Sequence, residues 1–169
     1  MGSSTDSDFD EFAVAAWPRL RRSAYLLTGD HHLAEDLAQT ALARTYASWR
    51  RVRRADAHAY ARRTLVNLNI DRIRRRRITE VGDGPIEVLA DRHQPLGNSD
   101  DRDEIVRLLK GLTEKERRVV VLRHYFDLSE AQVADELGIA RGTVKSTLSR
   151  ALTKLRVSVD DLQHSHPLS

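Results

Sequence analysis

The chain has 169 residues, 40% hydrophobic and 31% charged, with a formal net charge of +3, which is room for one ordinary domain or two small helical ones. Its longest apolar runs, such as Val119–Leu122, fall far short of the roughly 20 residues a membrane helix needs, so no membrane insertion is expected. It has no cysteine, which excludes disulfides, thiolate zinc sites and thiol redox switching; with no secretory pattern at its start, a cytoplasmic protein is expected.

Residues 1–7 read as a short disordered lead. Beyond them the apolar spacing is helical almost throughout, so the expected fold class is all-α, built as two small helical domains. A first helix over about 8–28 carries Phe9, Phe12, Ala16, Leu20, Ala24 and Leu27 on one side, and Pro18 inside it should kink or divide it. Thr28-Gly29-Asp30 ends that helix and Asp30 can cap the next. The second helix, about 31–49, is expected to bury Leu33, Leu37, Ala38, Ala41, Leu42 and Trp49. The third, about 56–77, buries Ala57, Ala61, Leu65, Leu68 and Ile73. These three form one bundle over 8–77.

Residues 78–102 break the pattern with Gly82, Gly84, Pro85, Pro95 and Gly97. Six acids there (Glu80, Asp83, Glu87, Asp91, Asp100, Asp101) face only Arg92 and Arg102. Such a stretch cannot bury enough apolar surface to fold alone and reads as a flexible acidic linker, with a reach of up to ~80 Å when extended. A second helical unit follows over 103–157, then a tail over 158–169.

The most specific signal runs from Leu128 to Leu155. Ser129 with Gln132 three residues on begins a helix by a capping box; Val133, Ala134 and Leu137 form its buried face. Gly138 supplies a sharp turn, and Ile139 is expected to pack in the angle before a second helix that buries Val144, Leu148, Ala151, Leu152 and Leu155. The opposite face of that helix carries Arg141, Thr143, Lys145, Ser146, Ser149 and Arg150, with no acid. This is a helix-turn-helix whose second helix suits the major groove of DNA. A helical hairpin with a solvated basic face has the same periodicity, but the cap, the small Ala134 and the turn glycine coincide against it. DNA binding by itself does not separate repressors, activators and polymerase subunits.

The flanks are more discriminating. Leu112-Thr-Glu-Lys-Glu-Arg-Arg-Val-Val-Val-Leu-Arg-His-Tyr-Phe-Asp-Leu-Ser129, running into Gly142-Thr-Val-Lys-Ser146, resembles domain four of bacterial sigma factors, although response regulators of the LuxR type share a similar ending. The first half separates the two. Ala24-Tyr-Leu-Leu-Thr-Gly-Asp30, Ala34-Glu-Asp-Leu-Ala-Gln-Thr-Ala-Leu-Ala-Arg-Thr-Tyr46 and Val66-Asn-Leu-Asn-Ile-Asp-Arg-Ile-Arg-Arg75 resemble domain two of the extracytoplasmic-function sigma factors, and the arginine-rich composition is similar to the actinobacterial SigE-type subfamily. The resemblance implies a subunit that binds core RNA polymerase and directs promoter recognition and opening, with no cofactor and no catalysis of its own. A stand-alone regulator would need a receiver or ligand domain that 8–77 does not suggest. An enzyme would need a nucleophile–base pair, phosphate loop or metal cluster, and none is apparent. His31, His32, His164 and His166 have no convergent acid pair, so no metal site is expected.

By the same resemblance, Glu35, Asp36, Leu37, Gln39 and Arg44 on one edge of the second helix would grip the β′ clamp coiled coil of polymerase, with the β flap as a further contact; a solvated helix face is the plainer alternative. On the third helix Tyr60, Arg63, Asn67, Asp71, Arg72, Arg74 and Arg75 would meet the minus-ten element, and the loop Arg50–Asp56 would wall a pocket for an unpaired base. Tyr60 stands where such proteins usually carry Trp, and core packing is an equal alternative for it. In domain four Arg123, Arg141, Thr143, Lys145, Ser146, Ser149 and Arg150 would meet the minus-thirty-five element. Ala140-Arg141 replaces a common Pro-Glu, and Thr147 a common Arg. The acidic linker would pass through the polymerase's basic channel or merely aid solubility, and an anti-sigma factor is a further candidate partner.

Overall fold

The computed structural model of the chain describes residues 3–80 and 101–165. Among them every regular element is helical: α1 (Ser3–Thr28), α2 (His31–Ala47), a 3₁₀ turn (Arg54–Asp56), α3 (Ala57–Glu80), α4 (Asp101–Lys110), α5 (Glu114–Val120), a π-type turn (Val121–Tyr125), α6 (Glu130–Leu137) and α7 (Arg141–His164). By contacts they fall into two compact units. The first takes α1 up to Ala24, then α2 from His32 through α3; the second takes Tyr25–His31 with α4 to α7. The acidic linker expected over 78–102 lies outside the described residues except at its ends, where 78–80 complete α3 and 101–102 begin α4.

The lead expected to be disordered is helical from Ser3. Its Asp6 and the aromatic side chains just after it find partners across the first unit. The Phe9 ring lies 4.8 Å from Tyr46 and 5.2 Å from Trp49, and Phe12 lies 5.1 Å from Trp49 and 4.8 Å from His58. Tyr46 donates a hydrogen bond of 2.9 Å to Asp6 Oδ1. Nor does Pro18 divide α1. The donor that proline lacks would have faced the carbonyl of Val14, a residue 77% exposed, so water can satisfy that carbonyl. Gly29, with φ of 67°, closes the helix by donating from its amide to the Tyr25 carbonyl at 2.8 Å.

The buried face of α2 is small: Ala34, Leu37, Ala38, Ala41 and Thr45. Leu33 and Leu42, expected inside, are only half-buried, because alanines let the neighbouring helices approach too closely to seat larger side chains all round. Trp49 is buried as expected but stands beyond the end of α2. In α3 the core residues are Ala57, Ala61, Leu65, Val66, Leu68, Asn69 and Ile73; from Arg74 onward every residue is exposed.

In the second unit, α5 and α6 both pack on α7. The core is built from Val106, Leu109, Leu112, Val119 to Leu122, Leu128, Val133, Val144, Leu148 and Ala151. Two capping boxes start α5 and α6, Thr113 with Glu116 and Ser129 with Gln132. Gly138 has φ of 65° and turns the chain into α7. Four residues differ from expectation: Leu152 (38% exposed) and Ile139 (37%) are outside, and Leu137 and Leu155 are half-buried; on α7 it is Ala151 and Thr147 that complete the inner stripe. That helix also continues through His164, into what reads as tail.

Glu116 links two of these helices. It caps α5 and accepts a hydrogen bond of 2.6 Å from Lys154 Nζ on α7, while itself only 4% exposed. Burial pushes its carboxyl up, but the Lys154 contact and the Thr113 amide and hydroxyl outweigh that and hold it below its ordinary value of 4.5. Its ionised form therefore adds stability that is fully present above about 4.5 and is lost as pH falls through the lowered value. Glu116→Gln keeps a capping acceptor but removes the charge, and should cost about 1–2 kcal/mol at neutral pH, discounted because Lys154 is half exposed. Hydrogen exchange of the α5 and α7 amides should show this penalty shrinking as pH is taken from neutral to below 4.5; a penalty unchanged by acidification would contradict the ionic contribution.

Candidate nucleic-acid and polymerase interfaces

The outer face of α7 follows from its inner one. Val144, Thr147, Leu148 and Ala151 are buried, so a helical period turns Arg141, Thr143, Lys145, Ser146, Ser149 and Arg150 outward, and all six are exposed. Thr147, read from sequence as a groove position, is 6% exposed and belongs to the core side. Its hydroxyl accepts from an Arg150 guanidinium nitrogen at 3.4 Å, which steadies Arg150 from beneath. Ser146 donates to the Thr143 carbonyl at 3.2 Å. Ala140 precedes the helix in extended conformation and offers no side-chain cap. Arg123 sits half-buried in the π-type turn between α5 and α6.

On α3 the structure separates the expected set. Arg63, Asn67, Asp71, Arg74 and Arg75 are exposed, spaced along the helix by three, four or one residues. Arg72 is half-buried and donates to Asn69 Oδ1 at 3.2 Å. Tyr60 is half-buried too, and its hydroxyl donates to Ser48 Oγ at 3.0 Å, tying α3 to the start of the preceding loop, just past α2. Both readings of Tyr60 keep a foothold in that position.

The loop before α3 is not uniform. Arg54 stacks 3.9 Å over the Trp49 ring, donates to the Trp49 carbonyl at 3.1 Å and pairs with Asp8 at 3.8 Å. It is a brace. Arg50 and Arg51 are exposed and border a recess of about 590 Å³ that also takes in Thr5, Asp6, Tyr46 and Trp49. The hydrogen bond to Asp6 raises the Tyr46 hydroxyl above its ordinary pKa. Sequence reading missed this recess because the residues that close it from α1 were taken for a disordered lead.

Along α2, Asp36, Gln39 and Arg44 are exposed. Leu37 was expected both inside the bundle and on the exposed edge of α2; at 8% exposed it is buried, as the first expectation had it, and lines the wall of a shallow groove between α2 and α3 with Asp36, Thr40, Leu68, Arg72 and Arg75. Glu35 pairs with Arg21 at 3.5 Å. Among the described residues no group of His, Cys, Asp and Glu could hold a metal ion, and no helix is long and apolar enough to cross a membrane.

Comparison with known proteins agrees with this layout. Residues 14–78 match the family "Sigma-70 region 2" and residues 102–155 match "Sigma-70, region 4". These two regions in this order define a sigma factor of RNA polymerase. The RNA polymerase sigma-E factor of Streptomyces coelicolor is 39% identical over 155 residues, covering 88% of this chain and 84% of that protein. Its counterpart in Streptomyces avermitilis is 40% identical over 158 residues, covering 90% and 86%. The sigma factor SigL of Mycobacterium tuberculosis is 34% identical, covering 91% and 88%. Among solved structures, the sigma factor RpoE in complex with the anti-sigma factor NepR from Bartonella quintana matches with a TM-score of 0.72 at 27% identity, covering 90% of this chain and 97% of that one. The chain belongs to the extracytoplasmic-function RNA polymerase sigma factors, and it fits their actinobacterial sigma-E type. Its two sigma domains bind core RNA polymerase and promoter DNA and direct transcription initiation.

The two kinds of loop arginine should behave differently. Arg54→Ala removes the cation–π brace and should destabilise the first unit by about 1 kcal/mol, read by thermal melting. Arg51→Ala should leave melting unchanged and lower the salt dependence of promoter binding by the polymerase holoenzyme by about one ion. The reverse pattern would refute the division.

Proposed function

We propose that the two units hold one promoter at two points: α3 and the loop before it at the minus-ten element, and the outer face of α7 at the minus-thirty-five element. The observation that carries the reading is the face of α7. Six donors or small polar groups are exposed over Arg141–Arg150 with no acid among them, and a helix of this kind meets base edges through the major groove. Lys145 and Arg150 are the candidate base readers. Arg141, Thr143, Ser146 and Ser149 flank them, and half-buried Arg123 is a candidate phosphate contact. On α3, Arg63, Arg74 and Arg75 serve phosphates, while Asn67 and Asp71 are free to bond base edges; Arg72 and Tyr60 act chiefly by holding their neighbours.

The edge of α2 is the proposed seat for the β′ clamp. Asp36, Gln39 and Arg44 supply polar contacts, Glu35 shares its charge with Arg21, and Leu37 receives an apolar side chain in the groove rather than projecting from it. For the β flap, the stripe Leu152, Leu155, Val159 and Leu162 along α7 is the candidate. Three of the four are exposed at helical spacing, an apolar surface of the kind that marks a partner. The acidic linker over 78–102 joins domain two (8–77) to domain four (103–157), and its charge suits a basic channel in the polymerase. The chain works in the cytoplasm and performs no catalysis; polymerase makes the bonds, and this subunit lowers the cost of finding and opening a promoter. The Bartonella relative's complex with NepR supports an anti-sigma partner here as well.

Run-off transcription with core polymerase and a genomic promoter library should yield transcripts dependent on the chain. Asp36→Arg should weaken core binding by about tenfold or more while α7 stays folded, and normal affinity would exclude the clamp assignment. On a promoter so recovered, Lys145→Ala or Arg150→Ala should lose about 1–3 kcal/mol of discrimination at individual upstream base pairs; an unchanged preference would contradict the groove assignment.

A further inference from the structure

The recess beside the loop before α3 has a wall that comes from the far end of the first unit. Thr5 and Asp6, in the opening turns of α1, face it together with Tyr46, Trp49, Arg50 and Arg51. Phe9 and Phe12 keep that wall in place through their ring contacts with Tyr46 and Trp49. The recess thus combines an aromatic ring 49% exposed, two exposed guanidinium groups and a single carboxylate. The indole of Trp49 forms its floor, with Nε1 itself buried beneath the surface.

These groups do not describe a simple phosphate site, because a carboxylate repels phosphate. They do match an unpaired nucleobase. Tyr46 offers a face for stacking, as aromatic side chains do for single-stranded bases. Asp6, when ionised, only accepts hydrogen bonds, so it favours an edge that carries an amino group, as Asp and Glu do with the cytosine N4 amine. Tyr46 occupies Asp6 Oδ1, and among the described residues Oδ2 is left open to a second donor. Arg50 and Arg51, both exposed, supply donors for the ring nitrogen or carbonyl beside that amine. Cytosine and adenine present this order of donor and acceptor. Thymine would set a carbonyl oxygen against the carboxylate.

We propose that Asp6 is a specificity-determining residue: it reads the amino edge of one unpaired promoter base, cytosine or adenine, held in the recess between α1 and the loop at Arg50–Arg51. The inference rests on the reading that this loop receives the opened strand, and adds to it the contribution of α1.

The test uses holoenzyme assembled from core polymerase and the full chain, with forked promoter DNA. Each unpaired non-template position carries A, C, G or T in turn. The unaltered chain should favour C or A over T by about tenfold at one position. Asp6→Asn, whose amide can turn either a donor or an acceptor to the base, should flatten that preference to within about twofold while changing no other position. An Arg50→Ala, Arg51→Ala double variant separates the two ideas. If it weakens binding of the unpaired strand but Asp6→Asn leaves every base preference unaltered, Asp6 is not a reader and the loop reading stands. If neither variant affects any unpaired position, both are wrong.

Discussion

What the second unit offers to a partner depends on how α7 is seated. Burying Val144, Thr147, Leu148 and Ala151 against α5 and α6 fixes the rotation of the helix about its axis. A helix has one degree of freedom of that kind, and once it is spent the identity of the outward face is decided. The choice of small Thr147 and Ala151 on the inner stripe lets the helices approach closely, and pushes Leu152 out to join a different surface further along. One packing decision therefore orients both a polar face near the start of α7 and an apolar stripe near its end. The Glu116–Lys154 contact reinforces it from the side by tying α5 to the middle of α7.

Much of this was legible in the sequence, for identifiable reasons. The Ser129–Gln132 capping box and Gly138 are local signals that name a helix start and a turn without tertiary help, and both stand where the chain pattern puts them. The buried face of α3 was equally plain from its spacing. The misreadings share a cause, since each needed knowledge of a partner far away in the chain. Ser3 to Ser7 carry no apolar pattern of their own, and their helix makes sense only once Tyr46, Trp49 and Arg54 receive Asp6, Asp8 and Phe9. Leu37 has the spacing of a core residue and the neighbours of a surface patch; a groove wall is both. Thr147 has the chemistry of a groove residue, and only the seating of α7 reveals that it faces inward.

The first unit uses a different economy of contacts. Its inner surfaces pair alanines on α1 and α2 with larger aliphatic side chains, chiefly Leu65, Val66, Leu68 and Ile73 of α3. An aromatic cluster of Phe9, Phe12, Tyr46 and Trp49 closes one end of that core, with Arg54 laid over Trp49. The groups that shape the loop before α3 are thus the groups that hold the start of α1, and the arginines in that loop divide between Arg54, consumed in bracing it, and Arg50 and Arg51, left exposed.

The helix starts of the second unit are unequal in a way that bears on recognition. Thr113 and Ser129 close the beginnings of α5 and α6 with their own side chains, whereas Ala140 gives α7 nothing of the kind. No side chain caps the amides of Arg141 and Gly142, so the positive end of a 24-residue helix is left uncapped at the point proposed to meet DNA. A phosphate oxygen is the natural substitute for the missing cap, so DNA would finish the helix as it is bound. Part of the binding energy would then go into ordering a turn of protein, and the heat capacity and entropy of association would carry that signature even where the contacts themselves are few.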